Sequence, residues 1–225
     1  GVGAGARSHG APARVRWGRA LAVGGPSGGL RTEGGGRGGC DGEPALGWCA
    51  TDTLSGLGPK VLSPGVVLDL GTSDLPMPGV DLAPVTDPEA GDVTVQVTPG
   101  PRLDWFADEA WASLVGRSWT VTSDSNRVGL RLEGESLARS RTEELPSEGL
   151  VRGALQVPPS GKPVLFLADH PVTGGYPVIG YVADADVDRC AQLRPGQELL
   201  LRETTARAGR RRGGPTRPET GRATG

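Results

Sequence analysis

The sequence predicts a mainly β protein, built around a closed, barrel-like domain of short strands with two short helices. Three observations support this class. The segment 93–97 reads VTVQV, with an apolar residue at every second position, as in a half-buried strand. Two pairs of apolar runs are separated by polar turn residues, the pattern of β-hairpins. Many short strands joined by Pro/Gly turns are typical of closed β domains.

The individual elements follow from local signals in chain order. The segment DEAWASLV at 108–115 predicts a short helix, because an aspartate can cap it, its first turn is acidic, and Gly116 follows it. Residues 119–122 and 128–132 predict a hairpin around the turn SDSN. The other predicted elements are a strand pair at 150–157 and 164–168, a strand at 176–183, a helix at 184–193 and a closing strand at 198–202.

The composition predicts that the chain has three parts. The 38 glycines are densest before residue 50, and an incomplete, Gly-rich, β-rich region with a linker is predicted over 1–92, with strand-like text at 66–70. The folded domain is predicted over 93–202, and a disordered basic tail over 203–225. The run Arg210–Arg212 leaves a nucleic-acid contact open, but the tail has no aromatic residue to stack on bases.

Several classes of protein are disfavoured by composition. A net charge of −2 gives no overall field toward nucleic acid or an anionic membrane. The apolar runs are far shorter than the ~20 residues that span a bilayer. Three cysteines without a C-x-x-C pair favour a reducing, cytoplasmic compartment. Two histidines cannot form a multi-histidine metal site, so no metal is predicted.

Polar residues at the predicted loops fit a site for a small anion or amide. Asn126 and Arg127, at the tip of the first hairpin, can present amide and guanidinium donors to a carboxylate. Glu148 and Gln156 flank the second hairpin. A polar loop between two apolar strands adds Asp169, His170, Thr173, Gly174, Gly175 and Tyr176.

Each of these loop residues also has a structural interpretation. The paired glycines can allow positive φ and close backbone approach to a ligand, or can simply form a tight turn. Tyr176 can pack at the barrel mouth. His170 beside Asp169 is more typical of a hydrogen-bonded structural pair than of a catalytic one, and no G-x-S-x-G motif is present to supply a serine nucleophile.

Four segments carry a resemblance to a known family. They are SDSNRVGLRLEG at 123–134, ELPSEGLVRGALQVPPSGKPVLFLADHPVTGGYPVIG at 144–180, ATDTLSGLGP at 50–59 and PSGGLRT at 26–32. They resemble the family described as KipA, allophanate hydrolase subunit 2 or the C subunit of 5-oxoprolinase. The resemblance implies a cyclophilin-like barrel, and related modules form half of the carboxyltransferase part of urea carboxylase.

The resemblance also implies an activity. The family's 5-oxoprolinases open the lactam of 5-oxo-L-proline to L-glutamate at the expense of ATP, bound by this subunit or by a partner. The implied partners are KipI-like and YcsF-like proteins, the B and A subunits of that enzyme. Asp169 or Glu148 would be the base for water, Arg127 would neutralise developing negative charge, and the other loop residues would bind substrate.

Two alternatives stay open beside the role of an enzyme subunit. One is a KipA-like regulator that sequesters a KipI-type kinase inhibitor, and the other is an inactive, truncated remnant. The chain lacks a biotin-attachment motif, so carboxyl transfer would require a separate carrier. The family's V-Q-D-x-G-R-x-G segment is not found before Gly24, and Glu33–Gly36 stands where the family has an apolar strand. We therefore expect an N-terminally incomplete domain.

Overall fold

The computed structural model describes residues 10–26, 28–42, 44, 47, 49–76, 79, 82–83 and 85–204. Within these residues, every regular helix and strand lies between 93 and 203. The predicted basic tail falls almost wholly on 205–225, outside the described residues. Parts of the predicted linker also fall outside them.

The regular elements confirm a mainly β fold with two short helices. In chain order they are β1 (Val93–Pro99), α1 (Ala110–Gly116), β2 (Ser118–Val121), β3 (Gly129–Glu133), β4 (Glu148–Gly149), β5 (Ala154–Gln156), β6 (Val164–Phe166), β7 (Thr173–Gly174), β8 (Val178–Val182), α2 (Asp184–Cys190) and β9 (Glu198–Glu203). A 3₁₀ turn at Leu103–Trp105 lies between β1 and α1.

Seven of the strands in this part of the chain close a barrel in the order β1-β8-β5-β6-β3-β2-β9. The β1–β9 pair is parallel, with Val93 opposite Leu199, and the other barrel pairs are antiparallel. The predicted pairings β2–β3 and β5–β6 are confirmed. Closure removes the exposed strand edges that an open sheet would present. The short strands β4 and β7 form a separate pair.

The barrel interior is filled by one face of each strand. On β1, Val93, Val95 and Val97 are buried while the residues between them are exposed, because successive side chains of a strand point to opposite faces. The other barrel strands contribute the same kind of inward apolar side chain, namely Trp119, Val121, Leu130, Leu132, Leu155, Leu165, Ile179, Leu199 and Leu201. Each buried aliphatic side chain stabilises the fold by roughly 1.5–3 kcal/mol.

Helix α1 is defined by packing, and the predicted aspartate cap is wrong. The helix begins at Ala110, and its N-cap residue Glu109 makes no side-chain capping bond. Ala110 and Leu114 are buried against the barrel, and the Leu114 carbonyl accepts a 3.0 Å hydrogen bond from the Trp119 indole. Apolar burial therefore positions a helix of seven residues that has no side-chain cap.

The described part of 10–92 consists of turns and extended chain. The strand-like text at 66–70 makes one isolated bridge, between Leu70 and Cys40. Its partner segment is rich in glycine, which weakens a strand and supplies no side chains to pack. This region contacts the barrel near the end of α2, where the Gln192 side-chain oxygen accepts hydrogen bonds from the amides of Leu30 and Arg31 at 3.0 and 2.9 Å. No helix among the described residues is long and apolar enough to cross a membrane.

Candidate functional site

The centre of the candidate site is an ion pair between two loops at one end of the β3–β6 ladder. Gly129 lies opposite Phe166 in this ladder, so the residues just before β3 meet those just after β6. The Arg127 Nε lies 3.1 Å from the Asp169 carboxylate, and the Asp169 amide donates to the Arg127 carbonyl at 3.2 Å. Both side chains are partly exposed, which leaves the guanidinium accessible to a ligand.

Arg127 also holds a loop from the first part of the chain. A second nitrogen of its guanidinium donates to the Thr51 carbonyl at 2.7 Å. The adjacent Asp52 accepts bonds from the Ser55 hydroxyl at 2.7 Å and the Leu54 amide at 2.9 Å, and these bonds lower the pKa of Asp52. Three separate segments of the chain therefore meet at one guanidinium.

A second arginine adds positive charge to this end of the barrel. Burial lowers the pKa of Arg31, and the positive charge of Arg127 lowers it further, whereas Asp169 acts in the opposite direction. Two guanidiniums thus share the field of one carboxylate. Such an arrangement favours an incoming anion, because an additional negative charge would relieve the repulsion between them.

Asn126 shapes the hairpin tip. Its side-chain oxygen accepts bonds from the amides of Val128 and Gly129 at 2.8 and 3.3 Å, which is an Asx turn. The oxygen is thereby engaged in the turn, and only the amide nitrogen remains for the predicted substrate clamp. Asn126 also lines a groove of about 170 Å³, together with Leu54 and Phe166.

Glu148 lies on β4 and is held by an arginine that the sequence patterns did not single out. Arg102 donates to both of its carboxylate oxygens, with one nitrogen at 3.0 Å. Hydrogen bonding to Arg102 lowers the pKa of Glu148. A carboxylate with a lowered pKa is a weaker base, so this geometry favours a positioning role for Glu148 over the predicted base role.

The structure decides between the two interpretations of the glycine pair only in part. Neither Gly174 nor Gly175 has positive φ, so the backbone freedom of glycine is not used here. A Cβ on Gly174 would lie 2.6 Å from the Gln156 side-chain nitrogen and 2.7 Å from Leu150. A larger residue at Gly174 would have to displace the ends of these two side chains. Glycine at this position lets β7, which includes Thr173, approach Gln156, a buried residue that donates to the Tyr176 carbonyl at 2.9 Å.

His170 and Tyr176 complete the loop. The His170 Nδ1 lies 2.8 Å from the Pro171 carbonyl, so this nitrogen donates to the backbone, and the predicted structural bond has a backbone partner instead of Asp169. Tyr176 is 46% exposed, so part of its side chain faces solvent. Its ring is available to a ligand or to a partner protein.

The predicted residues therefore form two groups. Asn126, Arg127 and Asp169 meet the Thr51 loop, whereas Glu148, Gln156, Thr173 and Gly174 surround the β4–β7 pair. Thr51, Arg31 and Arg102 were missed as contributors. Thr51 lies within ATDTLSGLGP, one of the four segments that carry the family resemblance, and that resemblance could have indicated its role. Among the described residues, no group of three or more potential ligands is placed to hold a metal ion.

Comparison of the fold and of the sequence with known proteins identifies the class of protein. The structure is similar to that of the K. lactis urea amidolyase, with a TM-score of 0.62 and 27% identity over 73% of this chain and 11% of that chain. The family model for the carboxyltransferase domain, subdomain A and B, matches residues 3–203. The chain therefore belongs to this carboxyltransferase domain family, which confirms the resemblance found in its segments.

Two individual relatives within this family are also similar to the chain. The chain is 34% identical to the C subunit of 5-oxoprolinase from Escherichia coli (strain K12) over 189 residues, which are 82% of this chain and 60% of the relative. It is 32% identical to the corresponding 5-oxoprolinase subunit of Haemophilus influenzae over 69% of this chain and 50% of the relative. The chain thus spans 60% or less of the length of these two relatives.

Proposed function

We propose that this chain is part of a 5-oxoprolinase-type subunit, which acts with partner subunits to open the lactam of 5-oxo-L-proline to L-glutamate. The observation that carries the proposal is the Arg127–Asp169 pair, which joins two barrel loops and the Thr51 loop at a partly exposed guanidinium. The similarity to the C subunit of 5-oxoprolinase from two bacteria supports the choice of reaction.

In this proposal Arg127 binds the carboxylate of 5-oxoproline. A planar guanidinium suits a carboxylate because it can donate two parallel hydrogen bonds to it. The substrate carboxylate would compete with Asp169 for Arg127, and the nearby charge of Arg31 would favour that exchange. The side chain of Asp169 would then be released from its partner and could orient the water that attacks the activated carbonyl.

The second group of predicted residues would support this loop. Gln156 holds the Tyr176 carbonyl, and Gly174 allows that loop to pack closely on the barrel. Glu148 and Arg102 fix β4 beside β7. We assign these residues to positioning the loop that carries Asp169, His170 and Thr173, whose side chains remain candidates for substrate contact.

A partner protein suits ATP better than the described part of this chain does. Phosphate groups bind well at helix N-termini that are free of negative charge. Here α1 follows Asp108 and Glu109, and α2 carries Asp184 and Asp186 in its first turn. These acidic residues would repel a triphosphate, so we assign ATP to a KipI-like or YcsF-like partner.

A cytoplasmic location belongs to the same proposal. The three cysteines, Cys40, Cys49 and Cys190, are all free, as expected in a reducing compartment. The proposed reaction uses ATP and water, and it does not involve carboxyl transfer from biotin.

The decisive experiment is co-expression with KipI-like and YcsF-like proteins, followed by measurement of glutamate released from 5-oxoproline with and without ATP. We expect ATP-dependent glutamate, and we expect Arg127→Ala to lower kcat/KM by roughly tenfold to a hundredfold, since a hydrogen bond to a charged group contributes about 1.5–3 kcal/mol. Arg117→Ala, at a surface ion pair with Glu135, is the matched control and should leave the rate unchanged.

The same assay separates the alternatives. A complex that co-purifies without producing glutamate would favour the KipA-like regulator, and relief of a KipI-type kinase inhibitor would then be the activity to measure. If the chain neither forms a complex nor supports turnover, the inactive remnant is the better description.

A further inference from the structure

A second pocket lies at the opposite end of the β3–β6 ladder from Arg127. Strand β3 runs away from Arg127 for five residues, and β6 runs antiparallel beside it. The turn before β6, including Ser160 and Gly161, therefore meets the chain that follows β3. At about 3.3 Å per residue, the two ends of β3 are roughly 13 Å apart. This pocket is thus separate from the candidate site.

The pocket is a cavity of about 310 Å³ with basic and hydroxyl side chains in its lining. Its charged members are Arg139 and Arg141, and its hydroxyl members are Ser136, Thr142 and Ser160. No acidic residue is among the described residues that line it. The lining therefore offers hydrogen-bond donors and positive charge.

Both arginines are held in place by one buried aromatic ring. Trp105 is 5% exposed, and the guanidinium carbons of Arg139 and Arg141 lie 5.8 and 5.7 Å from its ring centroid. The backbone is fixed as well, since the Ser140 amide donates to the Trp105 carbonyl at 2.9 Å. The two cations are therefore preorganised, which lowers the entropic cost of binding a ligand.

The two arginines differ in their partners. Arg141 makes an ion pair with the exposed carboxylate of Asp104 at 3.1 Å. Arg139 makes no ion pair with any described residue, and its Nε is buried without a hydrogen-bond partner. Arg139 therefore retains a positive charge that no described carboxylate neutralises and that an anionic ligand could neutralise.

A glycine closes the wall of the pocket opposite the arginines. Gly161 has φ of 75°, and a Cβ at this position would lie 2.8 Å from the Ser136 Cβ. The Leu137 amide donates to the Gly161 carbonyl at 2.8 Å, and the Ser136 hydroxyl donates to the Ser160 carbonyl at 3.0 Å. The turn is thus bound tightly to the chain after β3, and the pocket has rigid walls.

We propose that this pocket binds a small oxyanion, a carboxylate or a phosphate, with Arg139 as its principal ligand. Arg139 supplies a positive charge that no described carboxylate neutralises, Arg141 supplies a second, partly neutralised charge, and the hydroxyls of Thr142 and Ser160 are neutral donors in the lining. The site is distinct from the one proposed for 5-oxoproline, so the two proposals succeed or fail separately.

The test is calorimetric titration of the full chain at low ionic strength, with inorganic phosphate and glutarate as probes. The titrations are made in the Arg127→Ala background, so that binding at the other end of the barrel does not contribute. We expect at least one probe to bind, and we expect Arg139→Gln to weaken its affinity at least about tenfold, the loss of one hydrogen bond to a charged group. Arg141→Gln should weaken it less, because Asp104 already neutralises that side chain.

Arg152→Gln is the matched control, since Arg152 also has a buried, unsatisfied Nε but makes ion pairs with Asp184 and Asp188. It should leave the affinity unchanged. Failure of both probes to bind, or equal affinity in Arg139→Gln, would overturn the proposal. If Arg139→Gln does not fold, as judged by circular dichroism, Arg139→Lys is titrated instead. Lysine keeps the positive charge but lacks the planar donor groups of arginine. An unchanged affinity in Arg139→Lys would also overturn the proposal.

Discussion

The barrel at 93–203 and the described part of 10–92 contain similar kinds of apolar residue, yet they bury them differently. Every buried apolar side chain of the described residues lies between Val93 and Leu201. In the earlier region, Val66, Val67 and Leu70 are exposed, and Trp17 is fully exposed. Apolar content alone therefore does not create a core.

The difference lies in spacing and in partners. The alternating valines of β1 put three side chains on one face, where apolar residues of six other barrel strands meet them. In 66–70 the apolar residues are nearly contiguous, and the facing segment around Gly36 and Gly39 has no side chains to contribute. A strand is stable when a second apolar surface covers it.

The largest expected effect tests this contrast with two tryptophans. Trp119→Ala should reduce the free energy of unfolding by about 3–5 kcal/mol, because it removes a fully buried side chain from the barrel interior. Trp17→Ala should change it by less than about 0.5 kcal/mol. Urea denaturation followed by circular dichroism measures both. Similar losses in the two variants would show that the earlier region shares the barrel's cooperative unit.

A smaller effect is expected where the two regions touch. Gln192→Ala removes the side-chain oxygen that accepts hydrogen bonds from the Leu30 and Arg31 amides. A typical hydrogen bond contributes about 1 kcal/mol to stability. Trypsin cleavage after Arg31 should become several-fold faster, while the barrel's melting temperature stays the same. Gln96→Ala, on the exposed face of β1, is the control. An unchanged cleavage rate would mean that Gln192 does not tether this segment.

The smallest expected effect concerns two carboxylates whose pKa is lowered, Glu148 in the barrel and Asp52 in the earlier region. Since Arg102 lowers the pKa of Glu148 from its usual 4.5, their pairing stabilises the fold fully above about pH 4.5 and less as the pH falls below it. Both side chains are partly exposed, so screening keeps the effect small.

In Glu148→Gln, the fall in melting temperature between about pH 5 and pH 3 should be smaller than in the unmodified chain, by a few degrees at most. Asp52→Asn should leave that pH dependence as it is, because the bonds that lower the pKa of Asp52 lie within its own exposed turn. Thermal melts at both pH values compare the variants. If Asp52→Asn changed the pH dependence of the melting temperature more than Glu148→Gln does, the conclusion that the barrel alone carries this dependence would be wrong.

The site was less predictable than the fold. The sequence pointed to Arg127 and Asp169, because both stand in polar loops between apolar strands. It did not show that they pair with each other, nor that Thr51 joins them from 76 residues away. It also left the role of Gly174 open, since only the packed structure shows how closely Gln156 and Leu150 approach it.

What the sequence determined by itself is the seven barrel strands and two hairpin pairings, because period-two patterns and turn residues act over a few positions. The family also followed from the sequence, through long strings in fixed order. Only the tertiary structure decided the order of the strands in the barrel, including the parallel pairing of β1 with β9, and the partners of Arg127 and Glu148. These contacts join residues that are distant in the chain, and side-chain pairing at such separations depends on how whole strands are arranged in space.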